Sequence, residues 1–406
     1  MDMNRRSAGI RENGLQFTML VLINLFVGAM VGLERTVLPL LGEQQFGLVS
    51  ASAAVSFIIS FGFSKAVLNL FAGRFADRFG RRNVLLAGWG VGALVPLTII
   101  LATHWWIVIF ANVLLGINQA LTWSMTVNMK LDIVKEKQRG LAVGLNEAAG
   151  YIGLSIAAAL SGYISARYGL RPEPFYLGFA FAVIGFLLAL FVKETGPAKS
   201  RRGETAATLS SKEIFLRTTW KDRTLSKISF AGLATNLKDG MAWGLFPIYF
   251  IQQDLSVDAA AVLVSAYPVA WGTSQLITGY ISDRVGRRTL IVSGMLLQAC
   301  SLWWMIFTNQ YTMWLIGALL LGVGTAMVYP TLQAAVGDAS EPTWRATSLG
   351  VYRFWRDSGY AFGALFAGVL ADAINVNWAI GIVAAVPFLA GLLFMNSRAK
   401  VVKGLN

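Results

Sequence analysis

Residues 73–82 read GRFADRFGRR, and residues 279–288 read GYISDRVGRR. The two segments share Gly, Asp-Arg and Gly-Arg-Arg at the same spacing and lie 206 residues apart. Each follows a long apolar run. The same offset pairs Arg139 with Arg345 and Gly144 with Gly350 in the next loops. Two separate loops in one register point to an internal duplication. Within the motif, Gly73 and Gly279 suit close helix approach. Gly80 and Gly286 suit the positive φ of a tight turn. Asp77 and Asp283 suit the positive N-terminal end of a neighbouring helix. Arg78, Arg81 and Arg82, with Arg284, Arg287 and Arg288, hold the loops at a polar surface and can pair with carboxylates there. Topology alone would account for the arginines but not for the repeated Gly and Asp positions.

Outward from the loops the chain is apolar. Of 406 residues 56% are hydrophobic and only 14% charged, against about 25% charged in a typical soluble domain. Mean hydropathy is +0.59. Long apolar runs alternate with short basic clusters, the pattern of many membrane spans. The spacing predicts twelve helices, six at 15–41, 49–72, 83–103, 105–131, 140–166 and 175–192. Six more fall at 225–251, 258–280, 289–307, 311–336, 346–371 and 377–395. Each is long enough to cross ~30 Å of hydrocarbon. The fold class is therefore all-α and membrane-embedded, with two similar six-helix halves. Residues 1–192 and 224–406 form the halves, and the charged stretch 193–223 reads as a linker, with a short amphipathic helix in it.

Charge placement sets the topology. Of 34 Lys and Arg, 27 fall in segments on one predicted side, and only Arg167 and Arg171 fall in loops on the other. The positive-inside rule puts both termini in the cytoplasm of a multi-pass inner-membrane protein. The net charge of +13 is thus explained without nucleic acid. The chain has one Cys (Cys300) and one His (His104), so a disulfide, a metal site or thiol redox chemistry has almost nothing to work with. No Gly-x-x-x-x-Gly-Lys-[Ser/Thr] loop is present, against an ATP-driven pump. The longest loop, about 30 residues, is too short for a soluble output domain. The first apolar run is too long for a signal peptide. A non-enzymatic monomer without a cofactor is expected, its partners being the lipid bilayer, a small solute or ion, and a coupling ion, foremost H⁺.

The duplicated halves, the central loop and the twice-repeated motif resemble the major facilitator superfamily along the whole chain. The resemblance implies alternating access by rocking of the halves. It also implies that Asp77 contacts the start of the eleventh helix near Arg345, and Asp283 the fifth near Arg139, as a gate. Drug–proton antiporters of that superfamily carry an Arg in an Arg-x-x-x-Gly-x-x-x-Ala setting of the fourth helix. Here that setting holds Asn112, Gly116 and Ala120. Their Gly-Pro-rich fifth-helix motif is also missing from GLNEAAGYIG at 144–153.

Cargo is therefore sought among charges inside the spans: Glu34, Arg35, Lys65, Glu147, Lys238, Asp239, Arg353, Arg356 and Asp357. Each costs about 2.5–3.5 kcal/mol at mid-membrane unless partnered. Depth and the implied adjacency of helices 2, 7 and 11 group Lys65, Lys238, Asp239, Arg353, Arg356 and Asp357 into one net-positive cluster, with Arg353 and Asp357 able to pair. The cluster either packs helices as neutralising pairs or receives an anionic or zwitterionic solute. Asn118, Gln119, Thr122 and Trp123, Tyr329 and Gln333, and Trp271 and Gln275 suit a cavity wall. Glu147, with no basic partner at its level, is the first proton-coupling candidate unless Asn146 or another neighbour satisfies it. Glu34 is the second, and a proton-coupled cation or drug exporter the alternative function. Trp105 and Trp106 suit the interfacial belt, and His104 the adjoining outer turn.

Overall fold

The computed structural model describes residues 9–135, 138–195, 209–341 and 344–395, and among them the chain is almost wholly helical. In hydrocarbon each backbone N–H and C=O needs an internal partner, which a helix supplies within itself. Twelve long helices result. They are α1 (Gly14–Phe46), α2 (Ser56–Phe79), α3 (Arg81–Ile100), α4 (Trp105–Ile133), α5 (Arg139–Tyr168) and α6 (Glu173–Phe191). The second six are α7 (Arg223–Gln252), α8 (Val257–Val285), α9 (Arg287–Ile306), α10 (Tyr311–Ala339), α11 (Arg345–Ala373) and α12 (Val376–Met395). Ten of these are long and apolar enough to cross a membrane on their own composition. The other two, α7 and α11, are as long, but they carry Lys238 and Asp239, and Arg353, Arg356 and Asp357.

Two details differ from the sequence expectation. The repeated motif is mostly helix rather than loop: α2 runs on to Phe79 and α8 to Val285. Only Gly80 (φ 86°) and Gly286 (φ 94°) break the chain, and α3 and α9 start one residue later. Gly73 lies inside α2, and no described atom comes within 4 Å of where its Cβ would be, so it makes no close helix contact in this conformation. Second, Trp105 is buried rather than belt-like. Its indole donates to Ser56 Oγ (2.8 Å) and its ring packs edge-on against Phe46 and Phe57. Trp106 is the exposed member of the pair.

Small residues set the tightest crossings. A Cβ on Gly28 or Gly32 of α1 would strike the α5 backbone at Gly150 or Leu154. In the second half, Gly359 and Gly363 of α11 meet the α7 backbone at Leu233 and Leu237. Between the halves, α2 packs on α11 and α5 on α8. Phe63 meets Phe362 at 5.5 Å, and Ser155 Oγ donates to Ser265 O at 2.5 Å. Asp372, near the end of α11, accepts from Ala51 N (2.6 Å), Ser52 N (3.1 Å), Ser50 Oγ (2.7 Å) and Ser52 Oγ (2.5 Å), at the short helix Ala51–Ala54. Toward the repeated motif, the described side-chain hydrogen bonds and ring contacts between α2 and α11 end at Asn69–Asp357, ten residues before Phe79. The halves thus meet on the face opposite the motif and leave a cavity between them on the motif side.

Of the expected linker 193–223, residues 193–195 and 209–223 are described. Residues 196–208 lie outside the described residues. Ser211–Leu216 forms the short helix, with Ser210 Oγ accepting from Glu213 N at 3.2 Å, and a π-helical turn at Arg217–Lys221 follows. Glu213 is held below its ordinary range by hydrogen bonds from Lys221 and Arg217.

Candidate functional site

A narrow polar cleft, with a cavity volume of about 20 Å³, lies between the halves. Its charged lining is Lys65 (α2), Glu147 (α5), Arg353 and Arg356 (α11). Asn69, Gln119, Trp123, Ser124, Tyr151, Tyr329 and Gln333 complete it.

Asp357 stands behind this wall, fully buried. It accepts from Arg356 Nε (2.7 Å), Asn69 Nδ2 (2.5 Å) and Asn236 Nδ2 (3.4 Å). The pairing anticipated between Arg353 and Asp357 is replaced by one with the adjacent Arg356. Arg353 is left lining the cavity, with no carboxylate within 4 Å among the described residues. Arg356 also lies over the Tyr329 ring at 4.8 Å. Lys65 likewise has no carboxylate within 4 Å among the described residues. Its ammonium lies 5.4–5.5 Å from the ring centres of Phe61, Trp123 and Tyr360. The cavity group therefore holds three cations and two carboxylates, with one carboxylate spent on Arg356.

Glu147 is not alone. Its Oε1 accepts from Trp123 Nε1 (2.8 Å) and Asn146 Nδ2 (3.2 Å), and Asn146 Oδ1 accepts from Lys130 Nζ. Lys130 was expected at the loop surface with the topology-setting lysines, yet it is 1% exposed. This polar chain of Lys130, Asn146, Glu147 and Trp123 links α4 to α5. Lys130 does not line the cavity but reaches Glu147 through Asn146, a link not legible in the sequence because the azimuth of Lys130 on α4 was not readable.

Other expected members fall elsewhere. Lys238 and Asp239 are fully buried outside the cavity, bonded to each other and to the Tyr267 hydroxyl, which contacts Thr325 Oγ1 at 3.3 Å. The physical reason is azimuth. Helical residues advance roughly 100° each, so Leu233, Leu237 and Gly240 share the α7 face that meets α11, and Lys238 points to α8 and α10. Asn118 packs α4 on α3 by donating to Gly88 O (2.9 Å), and Gln119 donates to Val27 O (2.8 Å) while lining the cavity. Trp271 is buried behind Tyr151, ring centres 3.6 Å apart, and Gln275 is buried with both amide atoms unpartnered. Glu34 and Arg35 are fully buried in α1 and do not line the cavity, although Arg35 lies over the Phe61 ring that Lys65 also contacts.

In the repeated motif, Arg81 pairs with Asp132 and donates to Asn128 O (3.0 Å). Arg287 pairs with Asp338 at 3.2 Å. Asp132 and Asp338 are themselves 206 residues apart, so the ion pair is duplicated. The motif offset, applied to carboxylates, would have found it. Arg82 donates to Leu190 O (2.7 Å) and Arg288 to Phe394 O (3.3 Å), each binding the last helix of its half. Glu194 caps the start of α3, accepting from Arg81 N (3.1 Å) and Arg82 N (3.0 Å). Arg78 lies over the Phe79 ring (5.2 Å), and Arg345 donates to Ser340 O (3.3 Å). The expected gate contacts fall outside the described residues, because the side chains of Asp77, Asp283 and Arg139 do.

Twelve long helices in two packed sets, with a polar cavity between them, define a multi-pass membrane transporter for a small solute. The chain belongs to the Major Facilitator Superfamily, which it matches over residues 20–237 and 228–404. It is 25% identical over 375 residues to Multidrug resistance protein 2 of Bacillus subtilis (strain 168), covering 88% of this chain and 89% of that protein. A point mutant of the nucleoside transporter NupG shares its fold, with a TM-score of 0.76 at 14% identity over 96% of this chain and all of that one. So does the human organic anion transporter MFSD10, with a TM-score of 0.70 at 17% identity over 93% of this chain and 98% of that one.

Proposed function

We propose that this chain is a secondary active transporter that moves a small anionic or zwitterionic solute by alternating access. The carrying observation is the pair of cavity cations without a carboxylate, Lys65 and Arg353. Asp357 is engaged by Arg356, Asn69 and Asn236, so it does not cancel them. In a space walled by protein and lipid a surplus cation is stabilised by an anion brought in from water. Gln119, Gln333 and the rings of Trp123 and Tyr329 would fix the solute's orientation. The six-helix bundles 1–192 and 224–406, joined by 193–223, are the rocking bodies, with Asp77 and Asp283 as gates. The termini and the repeated motif face the cytoplasm of an inner-membrane protein, so the cavity described here is open inward. Trp123 and Asn146 satisfy Oε1 of Glu147, so the coupling role falls to Oε2: a proton taken up there removes the free negative charge in the cavity and strengthens the hold on an anion, which gives proton–anion symport.

Reconstituted protein tests this directly. Counterflow is measured across panels of organic anions, inorganic anions and amino acids. Uptake of at least one anion or zwitterion is expected, and no counterflow across the panels overturns the cargo class. The alternative, a proton-coupled exporter of cations or drugs, draws on the name of the Bacillus relative. The same assay with cationic dyes decides it.

A further inference from the structure

Among the buried charged groups outside the cavity, Lys238 and Asp239 bond to each other, whereas Arg35 has nothing of the kind. It is 0% exposed, and its Nε, Nη1 and Nη2 have no hydrogen-bond partner. The guanidinium lies instead over the Trp243 ring at 4.4 Å and the Phe61 ring at 4.8 Å, with Phe57 at 5.9 Å. Trp243 stacks on Tyr360 at 4.5 Å, and Phe61 meets Tyr360 at 6.0 Å. On the cavity side, Lys65 lies over two of these same rings, Phe61 at 5.5 Å and Tyr360 at 5.4 Å. One ring cluster thus contacts two cations, Lys65 in the cavity and Arg35 sealed from it. Phe61 comes from the first six helices, and Trp243 and Tyr360 from the second six.

We propose that Arg35 is an anion-binding group of the opposite state, the one open on the face away from the repeated motif, and that Phe61, Trp243 and Tyr360 screen it in the present state. The inference rests on the anion reading above and extends it to a second station. A guanidinium presents five N–H donors in its plane, and rings stacked on its faces leave those donors unused. A ring cluster shared between the two sets of helices parts when they rock open on that face, and the donors then meet water and solute. Glu34 is fully buried beside it, with the Asn112 side chain near its carboxylate, so it is the neighbouring charge that an incoming anion must displace or find protonated.

The test needs no knowledge of the cargo. Cys300 is the chain's one cysteine and is exposed, so Cys300→Ser gives a thiol-free background. Phe57→Cys places a thiol beside Arg35 and leaves the other three rings intact. The probes are the impermeant thiol reagents sulfonatoethyl and trimethylammonioethyl methanethiosulfonate, added to proteoliposomes at the face away from the motif. The anionic reagent should react preferentially, and Arg35→Gln should lower the anion-to-cation rate ratio by about tenfold or more, as a unit charge a few ångströms away requires. Arg35→Lys should keep most of the preference. A ratio unchanged by Arg35→Gln overturns the proposal. So does the absence of labelling from that face by either reagent, which would make Arg35 permanent packing. If Phe57→Cys does not run as a single species on gel filtration, Leu38→Cys, one helical turn from Arg35, is the reporter. Charge selectivity at Arg35 without any transported anion would refute the cargo class alone. Anion transport without that selectivity would refute Arg35 alone.

Discussion

At the scale of the residue, the duplication makes the cavity readable as pairs. The 206-residue offset sets Lys65 against Trp271, Asn69 against Gln275, Trp123 against Tyr329, and Glu147 against Arg353. All of them line the cavity except Trp271 and Gln275, which are buried on the same helix, α8. Equivalent positions therefore contribute to one region: two pairs keep their chemistry, amide with amide and aromatic with aromatic, while Lys65 with Trp271 and Glu147 with Arg353 make it asymmetric. Hydrogen bonds to charged groups contribute about 1.5–3 kcal/mol. Lys65→Gln and Arg353→Gln should each weaken binding of the transported anion by about tenfold or more, read by titration on the purified protein; unchanged affinity in both would remove them from the site. Glu147→Gln should behave differently. It keeps the Trp123 contact and removes the negative charge, so binding is retained while uptake driven by a pH gradient is lost. Gradient-driven accumulation at the normal rate would count against Glu147 as the coupling group. Much of this site was legible from sequence as depth, since an ionisable residue in a span is easily located along its helix. Azimuth was not legible. Lys238 and Asp239 share the right depth, yet α7 turns them toward Tyr267, and Asp357 took the adjacent Arg356 rather than Arg353, one helical turn away.

At the scale of the element, hydropathy and basic clusters placed most long helices to within a few residues; the largest departure is α2, expected at 49–72 and found at Ser56–Phe79. What they left out were the helix ends, where backbone conformation decides. Gly80 (φ 86°, ψ 151°) and Gly286 (φ 94°, ψ 141°) hold conformations almost confined to glycine. Alanine at either should cost about 1–3 kcal/mol. At Gly80 a Cβ would also lie 2.7 Å from Glu194 Oε2, which adds a clash with the group that caps α3. Thermal unfolding in detergent checks this, and an unchanged melting temperature in either variant would contradict it. The ion pairs Arg81–Asp132 and Arg287–Asp338 tie the same corners to α4 and α10. Asp132→Asn and Asp338→Asn should therefore lower stability in parallel, with the first the larger, since Asp132 also accepts from Thr195 Oγ1 at 2.8 Å.

At the scale of the whole molecule, the present state depends on what holds the face opposite the motif shut. Asp372 takes four hydrogen bonds there, all from residues 50–52 of the other half. Its partners are all donors: two backbone N–H groups and two hydroxyls. A carboxylate can accept from all four, whereas an asparagine offers one accepting oxygen and turns an amino group toward donors. Asp372→Asn should therefore loosen this seal and leave each half folded, since none of these bonds lies within a half. The population then moves toward the state open on that face. Asp372 is exposed, so solvent competes for it, and the shift expected is modest, about threefold to tenfold. Two cysteines in the Cys300→Ser background read it from opposite sides. Val55→Cys, buried against Gly244 across the seal, should label faster from the seal face, and Lys65→Cys should label more slowly from the motif face. Reciprocal changes are the mark of one equilibrium between two states. If both sites label faster, the bundle has loosened as a whole, and if neither changes, closure of this face rests on the aromatic and glycine contacts of α2 and α11 rather than on Asp372.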